Sequence, residues 1–404
     1  MKLFSMSVLT ALLIFNHRLY AQEKYTVQEE PKIKLELVWE KEYEAPILDF
    51  IYSEGKNGPA LQVVITTDKV QFFSMKETKE IITKDIQLNR KERWFYGVSC
   101  SRNGKYIGIS KLNYGEYGYI QKGSEFQVYD NAGNLLATRE ATENSHPGTL
   151  LNNGAFLVTG VLEDARIFLE QLNGSRKLIF NGNDMGPSTY IDISKNSDFF
   201  ALNISGIGVI LYSDKGEKFW QKKFDWGDAA NVKISDNGKY IIAVGILSGG
   251  GVYLLSSDGD LLWKYPPNNY YNFYLNCIDF SPDEKYFAAN VTRDNIYLFE
   301  SSTGKILWNC KLEKKDESRK FFSIAVSKDA KFVSAADGGG TREFPAGDSS
   351  TVFLFDKEGH IVWRRDIMIQ KEQAPSIRFS DEGNYLFISI SNTLYCYKIV
   401  GGVQ

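Results

Sequence analysis

An all-β chain built from one repeated unit is what this sequence predicts, on three observations. The first is a phrase in which Trp follows a turn glycine by four residues: Gly216-Glu-Lys-Phe-Trp220, Gly259-Asp-Leu-Leu-Trp263, Gly304-Lys-Ile-Leu-Trp308 and Gly359-His-Ile-Val-Trp363. The second is a hairpin phrase ahead of it, as in Val232-Lys-Ile-Ser-Asp-Asn-Gly-Lys-Tyr240, Ile278-Asp-Phe-Ser-Pro-Asp-Glu-Lys-Tyr286 and Ile377-Arg-Phe-Ser-Asp-Glu-Gly-Asn-Tyr385. Asn-Gly takes positive φ cheaply, so a tight turn there matches the twist of two flanking strands. The third is a strand count that closes only when the two ends of the chain are joined.

Taking Ser53, Ser101, Leu151, Ser194, Ser235, Ser281, Ser327 and Ser380 as equivalent gives eight units, spaced from 41 residues (Ser194 to Ser235) to 53 (Ser327 to Ser380). That period fits four-stranded propeller blades. Within a unit the hairpin supplies two strands, and runs such as Val252-Tyr-Leu-Leu-Ser256 supply the third. The Gly-Trp phrase supplies the fourth. The last unit stops after three strands, at Thr393-Leu-Tyr-Cys-Tyr-Lys-Ile399, while Lys34-Leu-Glu-Leu-Val-Trp39 stands unassigned near the start. Pairing the two removes both open edges, the hazard every unclosed sheet must manage. The prediction is a single eight-bladed β-propeller spanning 22–404, or seven blades if the weakest unit, near Ser53, fails.

Composition agrees and excludes some partners. Aromatic residues make up 14% of the 404, and they suit the pleated, half-buried surface of a strand. With 47 basic against 50 acidic residues there is no excess of positive charge to neutralise phosphates, so nucleic acid is not an expected partner. The start of the chain has Lys2, an apolar run from Val8 to Phe15 and a small residue at Ala21, which resembles a secretory signal peptide over residues 1–21. The alternative is an uncleaved anchor. No later run is apolar and long enough to span a bilayer, and no cysteine follows the leader to take a lipid. We therefore expect a secreted or periplasmic monomer with no transmembrane segment in the mature chain.

Candidate chemistry is sparse. Cys100, Cys277, Cys310 and Cys396 lie in different repeats without CxxC spacing, so they read as buried thiols rather than a metal or disulfide framework. After the leader only His146 and His360 remain, too few for an imidazole-based site. Asp258 and Asp260 beside Gly259 read as turn caps rather than calcium ligands. The tryptophans at the regular positions, Trp39, Trp220, Trp263, Trp308 and Trp363, read as blade-docking residues, with Ile82, Ala137 and Leu178 filling the slot where Trp is absent. Sequons occur at Asn173, Asn203 and Asn290.

The Gly-x-x-x-Trp phrase resembles the tryptophan-docking repeat of pyrroloquinoline-quinone-type propellers, and the hairpins resemble those of WD40-like propellers, over nearly all of 33–399. For the enzymes of the first group the resemblance implies a quinone, a calcium ion held by Glu and Asn, an Asp base and often a vicinal cysteine pair. This chain has no adjacent cysteines and no acidic cluster matching that site, so we expect no cofactor, no metal and no catalysis. In architecture it is similar to the propeller scaffold of bacterial outer-membrane protein assembly, which recognises partners through loops.

The expected partner surface is the face carrying the connections between strands two and three and between blades. The long segments fall there: Lys111–Ser124, Ser248–Gly251, Asp337–Ser350, and the crossings Asn89–Gly97, Pro266–Asn276 and Glu313–Phe321. They hold Trp94, Tyr96, Tyr114, Tyr117, Tyr270, Tyr271, Tyr274, Arg319 and Arg342, with Trp226 in a further crossing, the residue types that anchor interfaces. A protein, peptide or glycan partner is expected on that face. The alternative is a quinoprotein-type cofactor-binding enzyme using the central channel.

Overall fold

The computed structural model describes residues 33–55, 58–76, 79–88, 94–113, 125–140, 145–160, 166–182, 189–196, 198–224, 228–246, 250–266, 277–292, 295–311, 320–338, 349–368 and 375–401. They form eight four-stranded antiparallel sheets, each a blade of one ring. Blades 1 to 7 follow in sequence. They run from strand Ile47–Gly55 to Lys79–Gln87, Trp94–Cys100 to Leu135–Glu140, Ser145–Leu150 to Arg176–Asn181, Thr189–Ile193 to Lys218–Lys222, Asp228–Ile234 to Leu261–Tyr265, Ile278–Phe280 to Ile306–Lys311, and Lys320–Val326 to Ile361–Met368. Blade 8 takes Ser376–Phe379, Tyr385–Ile390 and Thr393–Val400, and its fourth strand is Lys34–Glu42 from the other end of the chain. Lys34 pairs with Val400 and Glu42 with Thr393, so the ring closes by hydrogen bonds. The unit near Ser53 is a complete blade, which settles the count at eight.

The hairpin phrase works through its serine. Ser101, Ser194, Ser235, Ser281, Ser327 and Ser380 are buried, and each Oγ accepts the N–H of the aromatic residue five positions on, at 2.8 to 3.3 Å. This bond satisfies a donor that the tight turn would otherwise strand away from water. Blade 3 has Leu151 there and a turn one residue shorter, closed by the Leu151 N–H on the Ala155 carbonyl at 2.7 Å. The left-handed turn position is glycine in four blades, but Glu284 (φ 61) and Ala330 (φ 46) hold it in blades 6 and 7.

All eight fourth strands carry a bulge. One residue is skipped in the pairing with the third strand: Val38, Thr83, Leu136, Ile179, Phe219, Leu262, Leu307 and Val362. A bulge adds a residue without a partner and re-aims the side chain that follows it. Here that following residue is Trp in five blades, which is why in four of them two apolar residues stand side by side before the Trp instead of alternating. In blades 1 to 3 the residues after the bulge are Lys84, Ala137 and Phe180. Ile82 and Leu178 therefore do not fill the Trp slot as expected from spacing alone. They stand before the bulge, 54% and 45% exposed.

Core clusters lie between consecutive blades. Between blades 5 and 6, for example, Tyr240, Ile242, Val244 and Leu254 pack on Ile278, Phe287 and Phe299. Among the described residues no helix is long and apolar enough to cross a membrane.

Candidate functional site

The seams between blades are built around the turn joining strands three and four. Trp220 Nε1 donates to the Ser257 carbonyl at 2.7 Å, Trp263 to Ser301 at 2.9 Å and Trp308 to Lys357 at 3.1 Å, each acceptor lying in the turn of the next blade. Each indole also covers that turn's glycine so closely that a β-carbon on Gly259, Gly304 or Gly359 would fall 2.8, 2.6 or 2.7 Å from it. Blade 8 has no such turn ahead of Trp363, which packs instead beside Ile33, Leu35 and Tyr397 at the entry of the closing strand. Trp39, at the end of that strand, lies against Phe387, with ring centroids 6.2 Å apart.

The three seams without Trp use cations. Lys84 lies along Gly133 and donates to its carbonyl, Arg139 covers Gly174 and donates to the Leu172 carbonyl, and Lys177 donates to Lys215 O at 3.2 Å. Long alkyl stems cover apolar surface while the charged head finds an acceptor. Sequence reading missed these residues because they share no single position: Lys84 follows its bulge directly, Arg139 stands two residues beyond Ala137, and Lys177 lies ahead of its bulge.

First strands of consecutive blades lie side by side around the channel. Each offers an edge that must be satisfied, and in blades 2, 4, 6 and 8 the residue two positions before the hairpin serine does this. Asp192 Oδ2 accepts the N–H of Ile234 in the next blade at 2.8 Å, and Asp279 Oδ2 accepts that of Val326 at 3.0 Å. Ser99 Oγ donates to Gly148 O at 2.9 Å, and Arg378 donates to Phe50 O at 2.9 Å while pairing with Asp49. The signal was in the sequence: a polar residue between two apolar ones in Ile-Asp-Phe-Ser281 and Ile-Arg-Phe-Ser380.

At the hairpin-turn end, side chains cross the channel. Arg102 of blade 2 meets Asp236 of blade 5 at 3.3 Å, and Lys195 of blade 4 meets Asp381 of blade 8 at 2.6 Å. Around them runs a belt of turn-to-turn bonds from blade 2 to blade 8. Asn103 Nδ2 donates to Asn152 O, Asn152 Nδ2 to Ser194 O and the Asn196 N–H to Asp236 O. The Asn237 N–H donates to Glu284 Oε1, Lys285 pairs with Asp329, and Lys328 pairs with Glu382. The exposed pairs are screened by water and contribute little to stability. Deeper in, burial pushes the Asp236 and Asp279 carboxyls above their ordinary value despite opposing cations. Burial also works against the charge of Arg102, yet Asp192, Asp236 and Asp279 outweigh it and hold the guanidinium above its usual range.

These residues do not fit a quinone with calcium. The carboxylates here are already engaged by N–H groups or cations, and paired charges cross the axis at this end. The cysteines are equally unsuited to nucleophilic work. Burial pushes the Cys100 thiol well up, that of Cys396 rises to about 12, and Cys277 and Cys310 are buried. His360 is exposed in a turn, its Nδ1 3.0 Å from Asp356 Oδ2. The turn around Gly259 is capped by serine, not by the expected aspartates: Ser256 Oγ accepts the Asp260 N–H at 3.1 Å, and the Asp260 carboxylate lies 3.9 Å from Lys222 Nζ.

Of the residues expected on the partner face, Tyr114, Tyr117, Trp226, Tyr270, Tyr271, Tyr274, Arg319 and Arg342 lie outside the described residues, as does the leader over 1–21. Trp94 and Tyr96 are backbone members of a strand, with Trp94 opposite Asn113 and Tyr96 opposite Lys111, and their side chains lie outside the description. This corrects the reading of Asn89–Gly97 as a crossing loop. Aromatic residues with high strand propensity prolong the ladder instead.

No family model matches the chain, and no curated protein matches it in sequence. Solved structures do. BamB from Moraxella catarrhalis is similar at 13% identity and a TM-score of 0.57, covering 90% of this chain and 100% of that one. The C-terminal WD40 domain of Sif2 is similar at 12% identity and 0.56, covering 91% and 99%. At such identities the likeness speaks for the propeller fold, and fold alone does not carry function.

Proposed function

We propose that this protein is an exported, monomeric, non-catalytic scaffold that binds a protein, peptide or glycan through the face carrying its long connections. The observation that carries this reading is the state of the other face. There the side chains nearest the axis are committed to one another across the channel and around the belt, so they offer a partner little that is uncommitted. The opposite face receives the insertions rich in Tyr, Trp and Arg, which anchor interfaces by burying large rigid area with a polar handle. The likeness to BamB and to a WD40 domain is compatible with a scaffold role.

The test is capture of a partner from a periplasmic or culture-medium extract by three immobilised proteins. They are the mature chain, the variant Tyr270→Ala/Tyr271→Ala/Tyr274→Ala, and the turn-face control Lys105→Ala/Lys331→Ala. Capture by the first and third but not the second is expected. Equal capture by all three would sink the proposed face.

A further inference from the structure

Three Asn-x-Ser/Thr sequons occur in the chain, Asn173-Gly-Ser175, Asn203-Ile-Ser205 and Asn290-Val-Thr292, and the fold treats them very differently. Asn203 is fully buried on the second strand of blade 4. Its Nδ2 donates to Asn231 O at 2.9 Å and Val244 O at 3.0 Å, both across the seam in blade 5. A glycan is attached through that same nitrogen, so it would replace one of these donors and force a hydrophilic oligosaccharide between two packed sheets. Asn290 is also fully buried, at the corresponding place in blade 6, nine residues after the hairpin serine. Its Oδ1 accepts the Cys277 N–H at 2.9 Å, which fixes the amide against the start of the first strand. Asn173 sits in the exposed turn between strands three and four of blade 3. There Oδ1 accepts the Ser175 N–H at 2.9 Å, and the turn glycine takes φ +88°.

We propose that Asn173 is the one sequon of the three that can carry an N-linked oligosaccharide in the folded protein, and that Asn203 and Asn290 must stay unmodified for the ring to close. Resting on the export reading, this implies a native route that does not glycosylate nascent chains at every sequon. The physical reason is order of events. Transfer to an unfolded chain precedes seam formation, and a glycan at either buried asparagine leaves that seam no room to form.

The experiment expresses the full chain with its own leader in a glycosylating secretory host, with and without an inhibitor of oligosaccharide-precursor synthesis. Glycopeptides are then mapped in the protease-resistant secreted fraction and in the retained fraction. The expected result is a glycan at Asn173 alone in the secreted fraction, glycans at Asn203 or Asn290 only in retained material, and a severalfold rise in secreted protein with the inhibitor. Removal of the single glycan by Asn173→Gln, with secretion unchanged, completes the expectation. A folded, secreted molecule glycosylated at Asn203 or Asn290 overturns the proposal, and so does a secreted fraction with Asn173 bare. Failure of the export reading looks different: the chain stays in the cytosol in both arms, and a strong foreign leader then restores the same test.

Discussion

Blades 4 to 7 and blades 1 to 3 perform the same task with different chemistry. In blades 4 to 6 of the first group an indole covers the next blade's turn glycine and gives one N–H to a carbonyl of that turn, while Trp363 of blade 7 packs at the closing strand; in the second group, Lys84, Arg139 and Lys177 do the donating from flexible stems. What a propeller seam requires is therefore a donor and a cover at one place, not a tryptophan. The two solutions differ in rigidity. An indole stacked on aromatic rings loses little conformational entropy on docking, whereas an ordered Lys or Arg stem loses up to about 2 kcal/mol.

The sharpest way to break the comparison is Trp263→Ala. Trp263 stacks on Phe287 and Phe299, with centroids 5.5 and 5.7 Å away, besides its bond to Ser301. Loss of about 3 kcal/mol is expected from the deleted ring, read as a lower urea midpoint. A loss under about 1 kcal/mol would mean the seam does not depend on the indole.

Adding one methyl group to the turn tests rigidity directly. In Gly304→Ala the new carbon would lie 2.6 Å from the Trp263 ring at φ +69°, while in Gly174→Ala it would lie 3.3 Å from the tip of Arg139 at φ +88°. Both variants incur about 1–2 kcal/mol of left-handed strain. The first should add about 1–3 kcal/mol of overpacking, because an indole held in a stack cannot step aside as a guanidinium can. Equal thermal shifts would erase the distinction between the two kinds of seam.

The cross-channel pairs tie the halves of the ring together, and they carry a pH signature. Arg102 lowers the carboxyl values of Asp236 and Asp279, so Arg102→Met should let them rise further. A carboxyl raised in the folded state binds its proton more tightly there than in the unfolded chain. Its ionised form therefore costs stability above the folded value, and the cost disappears as acid protonates it. Relative to wild type, the variant should lose about 1–3 kcal/mol near pH 8 and distinctly less near pH 4.5, by urea unfolding. A penalty that grows toward acid would contradict this pairing.

The smallest effect is expected at a cationic seam. Arg139→Met keeps an apolar stem but removes the guanidinium that lies over Gly174 and donates to Leu172 O, so about 1 kcal/mol should be lost. Hydrogen exchange should quicken in Arg176–Asn181 and Leu135–Glu140 without reaching blades 5 to 7.

Much of this was legible in residue order, because its causes are local. A serine followed five residues later by an aromatic marks a hairpin since the Oγ reaches that N–H within one turn, and the repeated spacing sets the number of blades. The polar residue ahead of that serine was visible too, although its meaning was not. Asp279 is an inner-edge cap only because the first strand of blade 7 lies beside it. The sequons are a middle case: Asn173-Gly174 carries a turn signal of its own, while the seam partners that bury Asn203 and Asn290 come from elsewhere in the ring.

Residue order alone pointed to an all-β ring of repeated blades and to its closure by Lys34–Glu42, since strand alternation, turn chemistry, a spare strand at one end and a three-strand unit at the other need only neighbouring residues to be read, while the complete blade near Ser53 settled eight against seven. The tertiary structure alone decided which residue fills each seam and which charges meet over the axis. A single-residue bulge re-aims every side chain after it, and pairs such as Lys195 with Asp381 are separated by half the ring. Such contacts exist only once the ring has closed.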